Sequence, residues 1–142
     1  MASQEVPHRG QQQMTMRNGF LTAITPAVAG RIAALLEHPA VVQLELRAIG
    51  GAIADVPADA TAFGHREAGY FLSAWGRPGP VSGLDQPWAS IADDITGAYG
   101  AYASDVRPER RAETYPGAVL TRLERIASTY DPRGVFAPGR DR

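Results

Sequence analysis

Three side chains near the middle of the chain have the types and spacing for proton chemistry: Glu45, Arg47 and His65. A carboxylate and a guanidinium two residues apart share one face of an extended strand. An imidazole both donates and accepts, and it titrates near neutral pH, which makes His65 the foremost single candidate for an acid or base. Its alternative role is structural, with His65 and its neighbour Arg66 anchoring a loop to backbone carbonyls or a carboxylate. His8 and His38 sit in a polar arm and at a helix end, where exposure is the expectation. Gln43 joins Glu45 and Arg47 on the polar side of the strand. Tyr70, Trp75, Tyr99 and Tyr102 supply the aromatic surface that would line a site for a planar, hydrophobic metabolite.

The elements that must position these groups are read from hydrophobic pattern. From Gln43 to Trp75 the chain reads as a strand, a Gly50-Gly51 turn, a short second strand, a loop ending in His65-Arg66 and a third strand. Val42, Leu44 and Leu46 alternate with Gln43, Glu45 and Arg47, giving one apolar face for helices to cover and one polar face. Val41 to Arg47 is thereby the expected organising strand. Upstream, residues 16–24 form a short apolar segment. Thr25-Pro26 offers an N-cap followed by proline at the first helical position, and Val28, Ile32, Leu35 and Leu36 make an inward stripe that stops at Pro39.

Downstream, GRPGPVSGLDQP breaks all regular structure. A helix is expected from about Pro87, with Trp88, Ile91, Ile95 and Tyr99 on one side and a solvated Asp93-Asp94 pair on the other. DVRPERRAE reads as a charged turn. A last helix, about Pro116 to Thr129, turns Val119, Leu120, Leu123 and Ile126 inward, and Val135-Phe136 is expected to tuck back against the domain.

Composition narrows the chemistry. The 142 residues are 44% hydrophobic and 20% charged with a net charge of −1, values of an ordinary globular domain with no basic stripe for nucleic acid. All fourteen basic residues are arginine, which excludes a lysine Schiff base, and the absence of cysteine excludes thiolate and zinc-thiolate sites. Neither a GxGxxG nor a Walker A loop is present to cradle phosphate. No apolar run approaches the roughly 20 residues that span a bilayer, and the first residues lack the apolar core of a signal peptide, so a cytoplasmic protein without membrane contact is expected. Residues 1–14 read as a flexible arm and 15–142 as one domain.

The order of the landmarks carries a resemblance. LELRAIGGAIADVPADATAFGHR, a strand ending in Trp75, a GAYGAYASD segment and TYPGAVLTRLERIASTYDPRGVF resemble the C-terminal, substrate-domain half of berberine-bridge-type FAD-linked oxidases. The resemblance covers about residues 18 to 136. It implies an α+β fold, an antiparallel sheet with helices packed on one face, in which the sheet covers a flavin ring and shapes a substrate pocket. Members of that family commonly carry Asn beside the tyrosine of the GAYGAY-like segment and again after the Val-Phe, where the amides help to hold flavin. Here Gly100-Ala101 and Ala137-Pro138-Gly139 stand in those places, and nothing in these 142 residues resembles the family's nucleotide-binding half.

The resulting expectation is a flavin-free, stand-alone substrate domain that binds a hydrophobic metabolite and is suited to cofactor-independent cyclisation or isomerisation, since neither needs an electron acceptor. A homodimer would cover the bared sheet face. The rival expectation is a subunit or split fragment of an FAD-linked oxidoreductase, docking on a separate flavin-domain protein.

Overall fold

The computed structural model describes residues 14–105 and 109–136. Strands β1 (Met14–Leu21), β2 (Val41–Ala48) and β3 (Tyr70–Pro78) form an antiparallel sheet in the order β1-β3-β2. Helices α1 (Pro26–Glu37), α2 (Asp85–Trp88), α3 (Glu109–Thr114) and α4 (Gly117–Tyr130) complete an α+β fold. The expected N-terminal arm lies outside the described residues except for Met14, which opens β1.

Helix α1 forms where its signals stand. The Thr25 hydroxyl accepts from the Val28 N–H at 3.2 Å, and Pro26 occupies the first turn, where a missing N–H leaves nothing unpaired. At the other end, His38 closes the turn onto Leu35, and its Nδ1 accepts from the Ala40 N–H at 3.2 Å. Val28 and Leu35 enter the core and Ile32 packs at its margin, whereas Leu36 stays exposed.

The organising strand is β3 rather than β2. Phe71, Leu72, Ser73 and Ala74 are all buried, so β3 is covered on both faces, as a central strand must be. On the helix side, Leu72 and Ala74 meet Leu21, Val28, Leu35, Val41, Leu84 and Ile91. Burying Leu72 there contributes about 2 kcal/mol. β2 is an edge strand, and its register shifts between Val41 and Gln43. The shift accompanies Val41 entering the core while Val42 stays 41% exposed; Leu46, further along the edge strand, is 44% exposed, so the alternation marks a face without filling it.

The expected short second strand is absent. Gly50 and Gly51, both at positive φ, fold the chain into a 3-10 turn, Gly51–Ile53, and it leaves the sheet until Tyr70. The long helix expected from Pro87 is also absent. One turn of α2 and the 3-10 turn Ala92–Asp94 are followed by extended chain, because residues 96–104 satisfy the outer edge of β1. Phe20 N–H donates to Gly97 O at 2.9 Å and Thr96 N–H to Phe20 O at 2.9 Å, while Ser104 N–H reaches Met16 O at 3.2 Å. Asp93 is exposed as expected, but Asp94 forms a two-bonded ion pair with Arg31 at 2.8 and 2.9 Å.

The charged turn contains α3, and α4 starts one residue later than expected. Val119 of α4 is buried, Leu120 and Leu123 are half-buried, and Ile126 is exposed. Val135 and Phe136 remain exposed and do not tuck back.

Candidate functional site

The sheet face opposite α1 carries a pocket of about 390 Å³. Its floor is Phe20 from β1 and Phe71 from β3, cross-strand partners with ring centroids 5.5 Å apart. One wall is the 3-10 turn Gly100–Tyr102, which sets Tyr99 and Tyr102 in a stack at 5.9 Å, each edge-on to Phe71. Phe63, edge-on to Tyr99 at 6.2 Å, adds to the lining with Ile49 and Ile53, all three from the segment between β2 and β3. Arg47 and Arg66 complete the lining.

The Tyr99–Tyr102 wall is held by Asn18 of β1. This buried amide accepts from the Tyr99 N–H at 2.7 Å and donates to Tyr99 O at 3.0 Å and Tyr102 O at 2.6 Å. Three backbone groups of an irregular segment are thereby satisfied by one side chain, which fixes the segment without a helix or strand.

A polar chain leads from the sheet into the pocket. Trp75 Nε1 donates to the Ser73 hydroxyl at 3.2 Å, and that hydroxyl faces Glu45 Oε2 at 3.5 Å. Arg47 Nε donates to Glu45 Oε1 at 2.7 Å, and its guanidinium lies 5.4 Å over the Tyr102 ring. The Glu45 carboxylate, and secondarily the Tyr102 hydroxyl, raise the Arg47 pKa above its ordinary value by favouring the charged form.

The structure therefore brings Glu45, Arg47, Trp75, Tyr99 and Tyr102 together on one face, with Arg47, Tyr99 and Tyr102 lining the pocket itself. Gln43 shares that face at the far end of β2 and is exposed. Tyr70 faces the other way and packs against the helix-side core.

His65 is placed apart. Its ring stacks on Phe20 at 4.8 Å, and Nε2 lies 3.0 and 3.1 Å from the carbonyl oxygens of Glu113 and Thr114, joining the loop to the end of α3. It lines a separate cavity of about 320 Å³ with Arg17, Trp88, Arg110 and Glu113. Two guanidinium groups face this cavity, yet Arg17 pairs with Asp85, and Arg110 with Asp105 and Glu113. Burial first, then repulsion from Arg110, lowers the Arg17 pKa. Both guanidiniums facing this cavity are thus engaged by carboxylates.

Arg66 takes the other direction from His65. It donates to Phe63 O at 3.0 Å, Ile53 O at 3.4 Å and the Thr61 hydroxyl at 2.7 Å. Pattern reading grouped it with His65 as a loop anchor and missed its place in the pocket. Phe20, Phe63 and Phe71 were missed for a related reason, since a core aromatic and a pocket aromatic look alike in sequence. Among the described residues no group of three or more His, Asp or Glu side chains is placed to hold a metal ion, and no helix is long and apolar enough to cross a membrane.

No protein-family model matches the chain. Two curated proteins do. It is 36% identical over 102 residues to the FAD-linked oxidoreductase sorD of Penicillium rubens, a match covering 63% of this chain and 21% of that protein. It is 33% identical over 97 residues to the uncharacterized FAD-linked oxidoreductase YgaK of Bacillus subtilis, again covering 63% of this chain and 21% of the relative. The chain thus spans about a fifth of the length of these relatives, and over that stretch it is similar to FAD-linked oxidoreductases.

Proposed function

We propose that this chain supplies the ring-binding wall of an FAD-linked oxidoreductase, the sheet surface against which a planar hydrophobic substrate or the flavin ring is held. The observation that supports this most directly is the pocket of about 390 Å³, walled by Phe20, Phe63, Phe71, Tyr99 and Tyr102 on the polar face of the sheet. Edge-on aromatic walls with an open mouth suit a flat ring, which gains dispersion and quadrupole contacts on several sides.

The residues fit the ring portion of a flavin better than the whole cofactor. Among the described residues no glycine-rich turn leads into a helix to receive a diphosphate, so the dinucleotide would be held by groups other than these. Flavin, when bound, supplies a two-electron acceptor. This chain's own contribution is to orient the ring and exclude water from one side of it. Arg47 and Glu45 meet as a hydrogen-bonded pair at the pocket lip, and Glu45 is the carboxylate that this reading assigns to proton transfer. His65 serves in this reading to lock the loop to α3.

The test is fluorescence titration of the full chain with FMN and, separately, with uncharged 2-naphthamide, repeated in Phe71→Leu and Tyr102→Leu. Saturable quenching is expected, with affinity about three- to tenfold weaker in either variant, given the worth of an aromatic stack. If neither probe binds, the pocket reading fails.

A second reading is a flavin-free metabolite-binding or isomerising protein that pairs with a second copy. Its support is that Val42 and Leu46 leave an apolar margin on the edge strand β2. Saturable naphthamide binding with no response to FMN would favour it over the oxidoreductase reading.

A further inference from the structure

The aromatic pocket contains one charge that has no ion-pair partner among the described residues. Of its lining residues only Arg47 and Arg66 are ionised, and they are not equivalent. Arg47 is neutralised by the Glu45 carboxylate at 2.7 Å. Arg66 meets only neutral groups, the carbonyls of Phe63 and Ile53 and the Thr61 hydroxyl. Among the described residues no carboxylate pairs with it.

The donor count sharpens the contrast. A guanidinium has five N–H bonds, one on Nε and two on each terminal nitrogen. Arg66 spends the Nε hydrogen on Phe63 O and one from each terminal nitrogen on Ile53 O and Thr61 Oγ1. One hydrogen remains on each terminal nitrogen, the number that a carboxylate takes up with its two oxygens. Those three contacts and the Phe63 ring, 4.9 Å below the guanidinium carbon, already hold the side chain in place. A ligand that engages it therefore pays little ordering entropy.

Resting on the reading that this pocket holds a flat hydrophobic ring, we propose that its ligand is an aromatic acid, with the ring between Phe71, Phe63 and Tyr102 and an anionic carboxylate seated on Arg66. A neutral ring would leave the guanidinium charge facing apolar walls and water. An acid of this class satisfies both the aromatic surface and the cation. Arg66 acts here as a binding and specificity residue.

The test compares two isosteric probes on the full chain, 2-naphthoate and 2-naphthamide, which differ in charge at one end of the same ring system. At low ionic strength the naphthoate is expected to bind about tenfold more tightly, the scale of one charge-assisted contact at a partly exposed site. The ratio should shrink as salt is raised. Folded Arg66→Gln should lose the preference while still binding the amide. Equal affinities, a preference for the amide, or a preference that survives in folded Arg66→Gln each overturn the inference and leave the pocket reading standing. Binding of neither probe overturns the pocket reading itself. If Arg66→Gln does not fold, the probe ratio and its salt dependence in the unaltered chain decide.

Discussion

Asn18 holds Tyr99 by both of its backbone groups: the amide oxygen accepts from the Tyr99 N–H at 2.7 Å while the amide nitrogen donates to the Tyr99 carbonyl at 3.0 Å. The same nitrogen reaches Tyr102 O, so one β1 side chain fixes an aromatic wall 81 residues away. Asn18→Ala removes the three bonds and leaves part of the wall's backbone unpaired. The expected loss is about 2–3 kcal/mol of stability in urea unfolding, with weaker 2-naphthamide binding.

Asn18→Asp gives this contact a pH signature. A carboxylate only accepts, so it repels the two carbonyls that the amide nitrogen satisfied. Its folded pKa is therefore raised above the unfolded value, and the folded state binds more protons. Stability of Asn18→Asp should be highest in acid and fall as pH rises above about 4, through the folded pKa. A ratio of variant to parent stability that stays flat from pH 3 to 8 would show that the amide is not the clamp.

Gly97 and His65 occupy adjoining space with nothing to spare. A Cβ built on Gly97 collides with the edge of the His65 ring at Cε1, Nδ1 and Nε2, and that ring is itself fixed by Phe20 and the end of α3. Gly97→Ala must displace the imidazole or the strand-edge segment that covers β1. The expected cost is about 3 kcal/mol, at the upper end for overpacking. Phe20 would move with His65, so naphthamide binding should weaken as well. A well-folded Gly97→Ala with parental affinity would contradict the packing described here.

Much of this architecture was legible in local pattern. Thr25-Pro26 and Pro39 bracket α1 because caps and proline act on the few residues beside them. Alternation through Gln43, Glu45 and Arg47 marked the polar face correctly. What local pattern does not encode is strand order: β2 reads as the organising strand, but β3 receives partners on both sides and α1 leaves Val42 and Leu46 uncovered. Residues 95–99 carry helix-compatible apolar spacing, yet the unpaired edge of β1 and the small Gly97 draw them into extended chain. His65 and Arg66 are neighbours in sequence and diverge in space, one to the α3 end and the other to the pocket, which spacing alone does not reveal.

The Arg31–Asp94 pair joins α1 to the turn Ala92–Asp94 through two bonds. Its side chains are 39% and 23% exposed, so water and salt screen most of the attraction. A double-mutant cycle through Arg31→Met and Asp94→Asn should yield a coupling of about 0.5–1 kcal/mol, smaller in high salt. A coupling several times larger would mean that the pair fixes the position of α1.

The segment after α4 turns by polar rather than apolar contacts. Asp131 accepts from the Val135 N–H at 2.7 Å and the Phe136 N–H at 2.9 Å, and Gly134 takes a positive φ between them. Val135 and Phe136 are left 55% and 85% exposed. Phe136→Ala should therefore change stability by no more than about 0.5 kcal/mol, as at other surface positions. Asp131→Ala should speed amide exchange at residues 135 and 136 with little change in global stability, because only that turn depends on the carboxylate. Slow exchange retained in Asp131→Ala, together with a large loss in Phe136→Ala, would mean that burial of the aromatic ring holds the turn after all.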